Sequence, residues 1–195
     1  RWPRTSTWVK RSTPAAGTNE ALIANFYNAY TNTAAIDASG MAPVQADLAR
    51  FNAIANRQQL SRVLGEQVRA DVDPLNATNF ATENLFGIFI TQGLATPGEV
   101  IPYILQGGLG MPEREYYLSN DADMVRLRGE YRAYIERLLT LAGVSDARAR
   151  AQRIFDLETQ IARAHLTREQ SEDIPSSAAV WSRAELTQRA PGIDW

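Results

Sequence analysis

The sequence has 195 residues and 21.6 kDa, with 20 basic side chains against 22 acidic ones and a formal net charge of -2. Its 45% hydrophobic content, with six Phe, seven Tyr and four Trp, excludes disorder throughout and predicts one domain or two small ones. A pI near 5.5 leaves no basic excess for a nucleic-acid groove, and the absence of Cys excludes disulfides, thiolate metal sites and cysteine nucleophiles. No apolar run approaches the roughly 18 residues of a membrane span. All the basic residues but Lys10 are Arg, which reads as codon bias rather than as a phosphate site. The opening Arg1-Trp2-Pro3-Arg4 carries no apolar signal core.

In chain order the pattern is mostly helical. Residues 1–16 show no clear period and are expected to be loosely structured, ahead of a helical domain over 17–195. Thr18 is a plausible N-cap for a helix bearing Leu22, Ile23, Phe26, Tyr27 and Tyr30, mostly core, and ending near Gly40. Pro43 suits the first position of a second helix with an apolar face of Val44, Leu48 and Phe51. A third carries Leu60, Val63, Leu64 and Val68 and stops before Asp73-Pro74.

The middle changes character. Two compact apolar runs, 85–90 and 100–105, flank a Pro97-Gly98 turn signal and predict a β-hairpin, with Pro102 pushing the second strand towards an edge. A glycine-bearing loop from Gln106 to Leu118 follows. Met124, Leu127, Tyr131, Ile135, Leu138 and Leu141 form one long helical stripe, with Gly143 as its stop. Ser145 is expected to cap the next helix, whose stripe is Ile154, Leu157, Ile161 and His165, in an antiparallel pair joined by a two-residue link. Ser182 and Glu185 form a capping box for a last short helix that Pro191-Gly192 ends. The fold class is therefore mainly α, a multi-helix domain with one β-hairpin.

Chemistry is read by elimination. His165 is the single histidine, so H-E-x-x-H, which needs two imidazoles one helical turn apart, is not in this sequence. Glu158 and His165 lie two turns apart, but a hydrogen-bonded histidine at the edge of a helix seam is the better reading than a shared metal. No G-x-S-x-G elbow accompanies the histidine. Glu169, Glu172 and Asp173 read as a solvated cap or salt-bridge cluster rather than an acid/base pair. Gly107-Gly108-Leu109-Gly110 lacks the pattern of a phosphate cradle and reads as a tight chain reversal. No catalytic, metal-binding or substrate-binding residue is assigned on these grounds.

One resemblance does emerge. Asn84-Leu85-Phe86-Gly87 and then Gly107-Gly108-Leu109-Gly110-Met111-Pro112-Glu113-Arg114-Glu115-Tyr116-Tyr117-Leu118 resemble the "GGLGLPDRDYYL" block of the neprilysin family of zinc metallopeptidases. Tyr131-Arg132-Ala133-Tyr134-Ile135, Leu141-Ala142-Gly143, the run from Ile154 to Ala162, and Ala190-Pro191-Gly192-Ile193-Asp194-Trp195 agree in order. The similarity runs from about Pro14 to Trp195.

The resemblance implies the N-terminal helical lid of a larger secreted or periplasmic enzyme that hydrolyses peptides in a gated cavity. It places zinc, H-E-x-x-H and a later E-x-x-x-D in a C-terminal catalytic domain that this sequence lacks. The chain is then expected to bind no zinc and to be inactive alone, with the catalytic domain and peptide substrates as partners. The alternative is a free-standing helical protein-binding module derived from that lid.

Three departures qualify the match. A family helix expected between Arg4-Thr5-Ser6-Thr7-Trp8 and Thr18 is missing or skipped, with only about nine residues intervening, and the register at the start is off by a residue or more, so no substrate role passes to Arg4. A polar run of bacterial relatives is replaced by 175–181, Pro175 to Trp181, which puts a role there in doubt. Asn28-Ala29-Tyr30 mimics a family substrate motif but falls on an amphipathic helix, and is read as chance.

Overall fold

The computed structural model describes residues 7–9, 13–68, 82, 84–94, 96–173, 175 and 179–195. The chain divides into two compact units, Arg1–Arg50 and Phe51–Trp195. Among the described residues the architecture is mainly α with one two-stranded antiparallel sheet, as the spacing predicts.

In the first unit Thr18 caps α1 (Asn19–Thr31), its hydroxyl accepting from the Ala21 amide at 3.2 Å. The helix expected to reach Gly40 breaks instead at Asn32. That residue ends α1 and begins α2 (Thr33–Ser39), its side chain accepting from the Ala35 amide at 3.1 Å. Asparagine competes for backbone donors in this way wherever a helix can restart, which the apolar spacing alone does not reveal. Ala24 is the buried residue of α1 and Tyr27 is half-buried, whereas Leu22, Phe26 and Tyr30 are exposed, so most of the expected stripe is not core. Phe26 and Tyr30 stack on each other at 6.3 Å along the open face. Pro43 lies in a 3-10 turn (Ala42–Val44) that leads into α3 (Gln45–Asn52). Val44, Leu48 and Phe51 are more exposed than their spacing suggests, because no described layer covers that face.

The second unit opens with α4 (Arg57–Gln67), capped by Asn56 and reciprocated by Gln59, whose side chain accepts from the Ala55 amide at 2.7 Å. Val63, Leu64 and Val68 are half-buried while Leu60 is exposed. The stop signal at Asp73-Pro74 lies outside the described residues. The hairpin pairs β1 (Phe86–Gln92) with β2 (Val100–Gln106), in a register that sets Gly87 against Leu105 and Ile90 against Pro102. Proline has no N–H for a ladder, which suits a strand that has one neighbour among the described residues.

After the glycine loop come α5 (Glu115–Leu118), α6 (Ala122–Leu141), α7 (Ala147–Ala164), α8 (Arg168–Glu172) and α9 (Arg183–Arg189). Gly143, at φ 70°, closes α6: its amide donates to Thr140 O and that of Val144 to Leu139 O, the paired bonds of a Schellman stop. The link to α7 runs over 142–146, longer than the expected two residues, because this stop needs residues beyond the glycine. Asp146, not Ser145, occupies the cap position, in the left-handed region at φ 55° and without a side-chain cap bond. Helices α6 and α7 run antiparallel, with Arg132 meeting Gln152 at 3.2 Å and Tyr131 meeting Glu158 at 3.1 Å.

The buried seam of α7 is Ala151, Phe155 and Ala162, one step round from the expected stripe; Ile154 and Leu157 are exposed. Small alanines let the helix approach closely and Phe155 fills the gap, a choice that counting large apolar residues misses. The core joins Met111, Tyr117, Phe155 and Ala162, with Leu109, Tyr116, Leu118 and Tyr131 packed against it.

The C-terminal segment returns to the start of this unit. The Ser182–Glu185 capping box is fully formed. Beyond it, the Asp194 amide donates to Ser61 Oγ at 2.9 Å, and Trp195 packs its ring 5.8 Å from Phe86. Ser61 is 8% exposed and also donates to Arg57 O, so its hydroxyl is used in both directions. Ser61→Ala removes the acceptor for a backbone amide and is expected to lower stability by about 1–2 kcal/mol in chemical denaturation. Ser61→Thr, which keeps the hydroxyl, should lose less.

Candidate functional site: the glycine loop and its carboxylate anchor

The loop between β2 and α5 is the most specific stretch of the sequence, and the structure shows what its glycines do. Gly108 sits at φ 81°, where a side chain is strained. Gly107 and Gly110 are fixed by proximity instead. A Cβ on Gly107 would overlap the Asn84 carbonyl oxygen and the Thr82 methyl, and one on Gly110 would overlap the Tyr131 hydroxyl. The loop is thus a close-approach element as well as a chain reversal.

Glu158 holds the inner side of this loop. Its carboxylate accepts from Tyr117 Oη at 2.8 Å and from Tyr131 Oη at 3.1 Å, one oxygen to each. Tyr117 Oη in turn accepts from the Met111 amide at 2.9 Å, so loop backbone, α5, α6 and α7 meet at one carboxylate. The two tyrosine rings are edge-on at 6.4 Å, and Tyr117 stacks on Phe155 at 5.7 Å, whose other neighbour is the Arg132 guanidinium at 5.3 Å. Burial, together with the Glu158 carboxylate, pushes the Tyr117 phenol up to about 12 and raises Tyr131 as well. Both hydroxyls therefore stay protonated as donors across the ordinary pH range.

The remaining polar groups bind the loop rather than a ligand. His165 Nε2 lies 2.9 Å from Gly107 O; a carbonyl can only accept, so this nitrogen carries the proton. Half-buried and hydrogen-bonded, His165 is the satisfied histidine its position suggests, although its partner is the glycine loop and not α6. Gln106 Oε1 accepts from the Leu166 amide at 2.9 Å, and Arg114 Nε reaches Ala162 O at 3.4 Å. Arg128 donates to Tyr116 O and Ser119 O and so closes the end of α5. Among the described residues no buried side-chain polar atom lacks a partner.

These contacts decide the pairings weighed from the sequence. Glu158 and His165 do not share a site, since each is engaged by a different part of the loop. Glu169 and Glu172 lie on the exposed turn α8, capped by Thr167, with Arg168 and Glu172 paired at 3.2 Å. Asp173 closes that turn with its backbone amide. Asn28-Ala29-Tyr30 lies within α1, on a helix as the periodicity requires. Among the described residues no three His, Asp or Glu side chains are grouped to hold a metal. The tyrosine–carboxylate cluster was missed from sequence; its signal was an acidic residue falling on the apolar side of α7.

With this geometry in hand, the relatives are informative. Residues 6–195 match the N-terminal part of Peptidase family M13, and the chain belongs to that family. It is 30% identical over 120 residues to endothelin-converting enzyme 1 of Cavia porcellus, a match covering 60% of this chain and 16% of that protein. Endothelin-converting enzyme-like 1 of Homo sapiens is 26% identical over 118 residues, 60% of this chain and 15% of that one. The fold is that of part of the zinc metalloprotease Zmp1 of Mycobacterium tuberculosis. Its open state superposes with a TM-score of 0.70 at 21% identity, covering 100% of this chain and 30% of that one. The inhibitor complex gives 0.74 at 22%, over 100% and 29%. The chain therefore spans under a third of the length of these relatives.

Glu158→Ala removes the acceptor of two tyrosine hydroxyls, that of the buried Tyr117 and that of the half-buried Tyr131, and is expected to cost about 2–3 kcal/mol of stability in urea denaturation. Tyr131→Phe, which loses one bond, should cost about 1–2 kcal/mol. Gly110→Ala, which drives a methyl into Tyr131 Oη, should cost a comparable ~1–3 kcal/mol. In an alkaline titration followed by phenolate absorbance, Tyr117 and Tyr131 should ionise above the ordinary phenol range near 10. The folded state keeps these protons where the unfolded chain loses them, so the stability they contribute is complete below pH ~10 and falls as pH rises towards 12.

Proposed function

We propose that this chain is the N-terminal, lid-forming part of a zinc metalloendopeptidase, with residues 17–195 as the lid-type region. The observation that carries this reading is the match to the N-terminal part of Peptidase family M13 over residues 6–195. The sequence itself supports the division of labour. A single histidine cannot supply the two imidazoles of H-E-x-x-H, and both His165 and Glu158 are committed to the glycine loop.

In this reading zinc and the groups that act on the peptide bond lie in polypeptide outside this sequence, and this region contributes walls. A helical wall over a reaction chamber admits extended peptides, rejects folded proteins and keeps bulk water from the reacting bond. The Glu158 anchor gives such a wall a fixed inner skeleton, because four segments are joined at a point that cannot slide. None of the described helices is long and apolar enough to cross a membrane, and a secreted or periplasmic enzyme is the proposed setting.

The test compares the native polypeptide with the 195-residue chain. The native protein should be several times heavier than 21.6 kDa and should hydrolyse short peptides in a chelator-sensitive way. The 195-residue chain should hydrolyse none of them and should take up no stoichiometric zinc by elemental analysis. A native mass of 21.6 kDa, or zinc uptake abolished by His165→Ala, would overturn the reading.

A further inference from the structure

A hairpin with one face in water normally alternates apolar residues with charged ones, which keep that face solvated and its edges unsticky. Strands β1 and β2 contain no charged residue at all. Alternation and register together place Phe86, Ile88 and Ile90 of β1 on one face with Val100, Pro102 and Ile104 of β2, with Gln92 and Gln106 as the polar but uncharged residues at its two ends. Ile90, Val100 and Ile104 on that face are 54%, 73% and 46% exposed. The opposite face, with Gly87, Phe89, Tyr103 and Leu105, is buried or half-buried.

The apolar face is already covered at its base. Trp195 lies on Phe86, held by its own Nε1 donating to Ala190 O at 2.9 Å and by the neighbouring Asp194–Ser61 bond. Cover therefore begins at the foot of the hairpin and stops before its tip. The exposed apolar residues of α6 and α7 are a different case. They are interleaved with Arg126, Glu130, Arg137, Arg153 and Asp156, so those helices present a mixed, solvated surface.

We propose that the uncharged face of the hairpin, continuing outward from Trp195, is the seat on which the peptidase part of the same polypeptide packs. This rests on the reading above that the chain is one region of a longer enzyme. The solved relative in its inhibitor-bound form has this region as 29% of its length, so a covering surface is available in the same chain. The occupant is an apolar surface without charge, because a charged one would lose its hydration against Ile90, Val100 and Ile104 with nothing to pair it. An uncovered patch of this kind is otherwise a liability for self-association.

The test uses the native full-length protein. This region has no cysteine, so Ile90→Cys or Ile104→Cys places a single new thiol on the seat. Maleimide should label either thiol at least about tenfold more slowly in the folded protein than in denaturant, as for a side chain reached only through local opening. Protection below about tenfold overturns the proposal. So does protection that disappears on dilution, which would make the occupant a second copy. Carbene footprinting of the unsubstituted protein reads the same face without a substitution, and heavy modification of Val100 and Ile104 also overturns it. A native mass of 21.6 kDa would instead defeat the lid reading itself, so the two failures are told apart by mass and by labelling.

Discussion

A carboxylate with two tyrosine hydroxyls on its two oxygens is the fixed point about which the second unit is organised. The arrangement follows from a constraint of burial: a polar group drawn partly out of water is held without penalty only when its oxygens find hydrogen-bond donors. Glu158 satisfies it with one donor from α5 and one from α6, while the α5 donor also takes up a loop amide. Those bonds set the distance between the loop backbone and Tyr131, and that distance leaves no room for a Cβ at Gly110. Loop composition, the short helix α5 and the spacing of the long helix pair are therefore consequences of a single polar contact. Apolar packing of Met111, Phe155 and Ala162 surrounds that contact and excludes water from it.

Such an anchor suits a part whose role is to hold shape. On the lid reading proposed above, a wall that opens and closes as a body needs an interior that does not rearrange when its surroundings do. Hydrogen bonds supply directionality that an apolar seam lacks, since a sliding helix pair loses little apolar contact but breaks both tyrosine bonds.

Elements marked by capping or chain reversal were legible in the sequence. Thr18, Gly143 and the Ser182–Glu185 pair each act through local backbone bonds, so their signal is contained within a few residues. The hairpin was legible because its two apolar runs flank a Pro-Gly turn. Long-range choices were not. Which face of α7 is buried depends on what α5 and α6 present to it, and the answer used alanines where large residues were expected. Phe26 and Tyr30 show the same limit: periodicity identifies a face, not whether anything lies on it. The glycine loop was recognisable as a motif, yet its mechanical reason lies in Tyr131, 21 positions on from Gly110 in the sequence.

The bond from Asp194 to Ser61 spans 133 positions, and it bears on how this unit is made. Helix α4 and the foot of the hairpin precede α9 in the chain, so Asp194 and Trp195 meet Ser61 and Phe86 only once the segment after α9 has been translated. Closing so long a loop is an entropic cost met late, after the local helix pair has formed. Until then Ser61 and Phe86 lack these two contacts, beside a hairpin whose strands carry no charge. Assembly order thus leaves the foot of the hairpin open until Trp195 packs on Phe86.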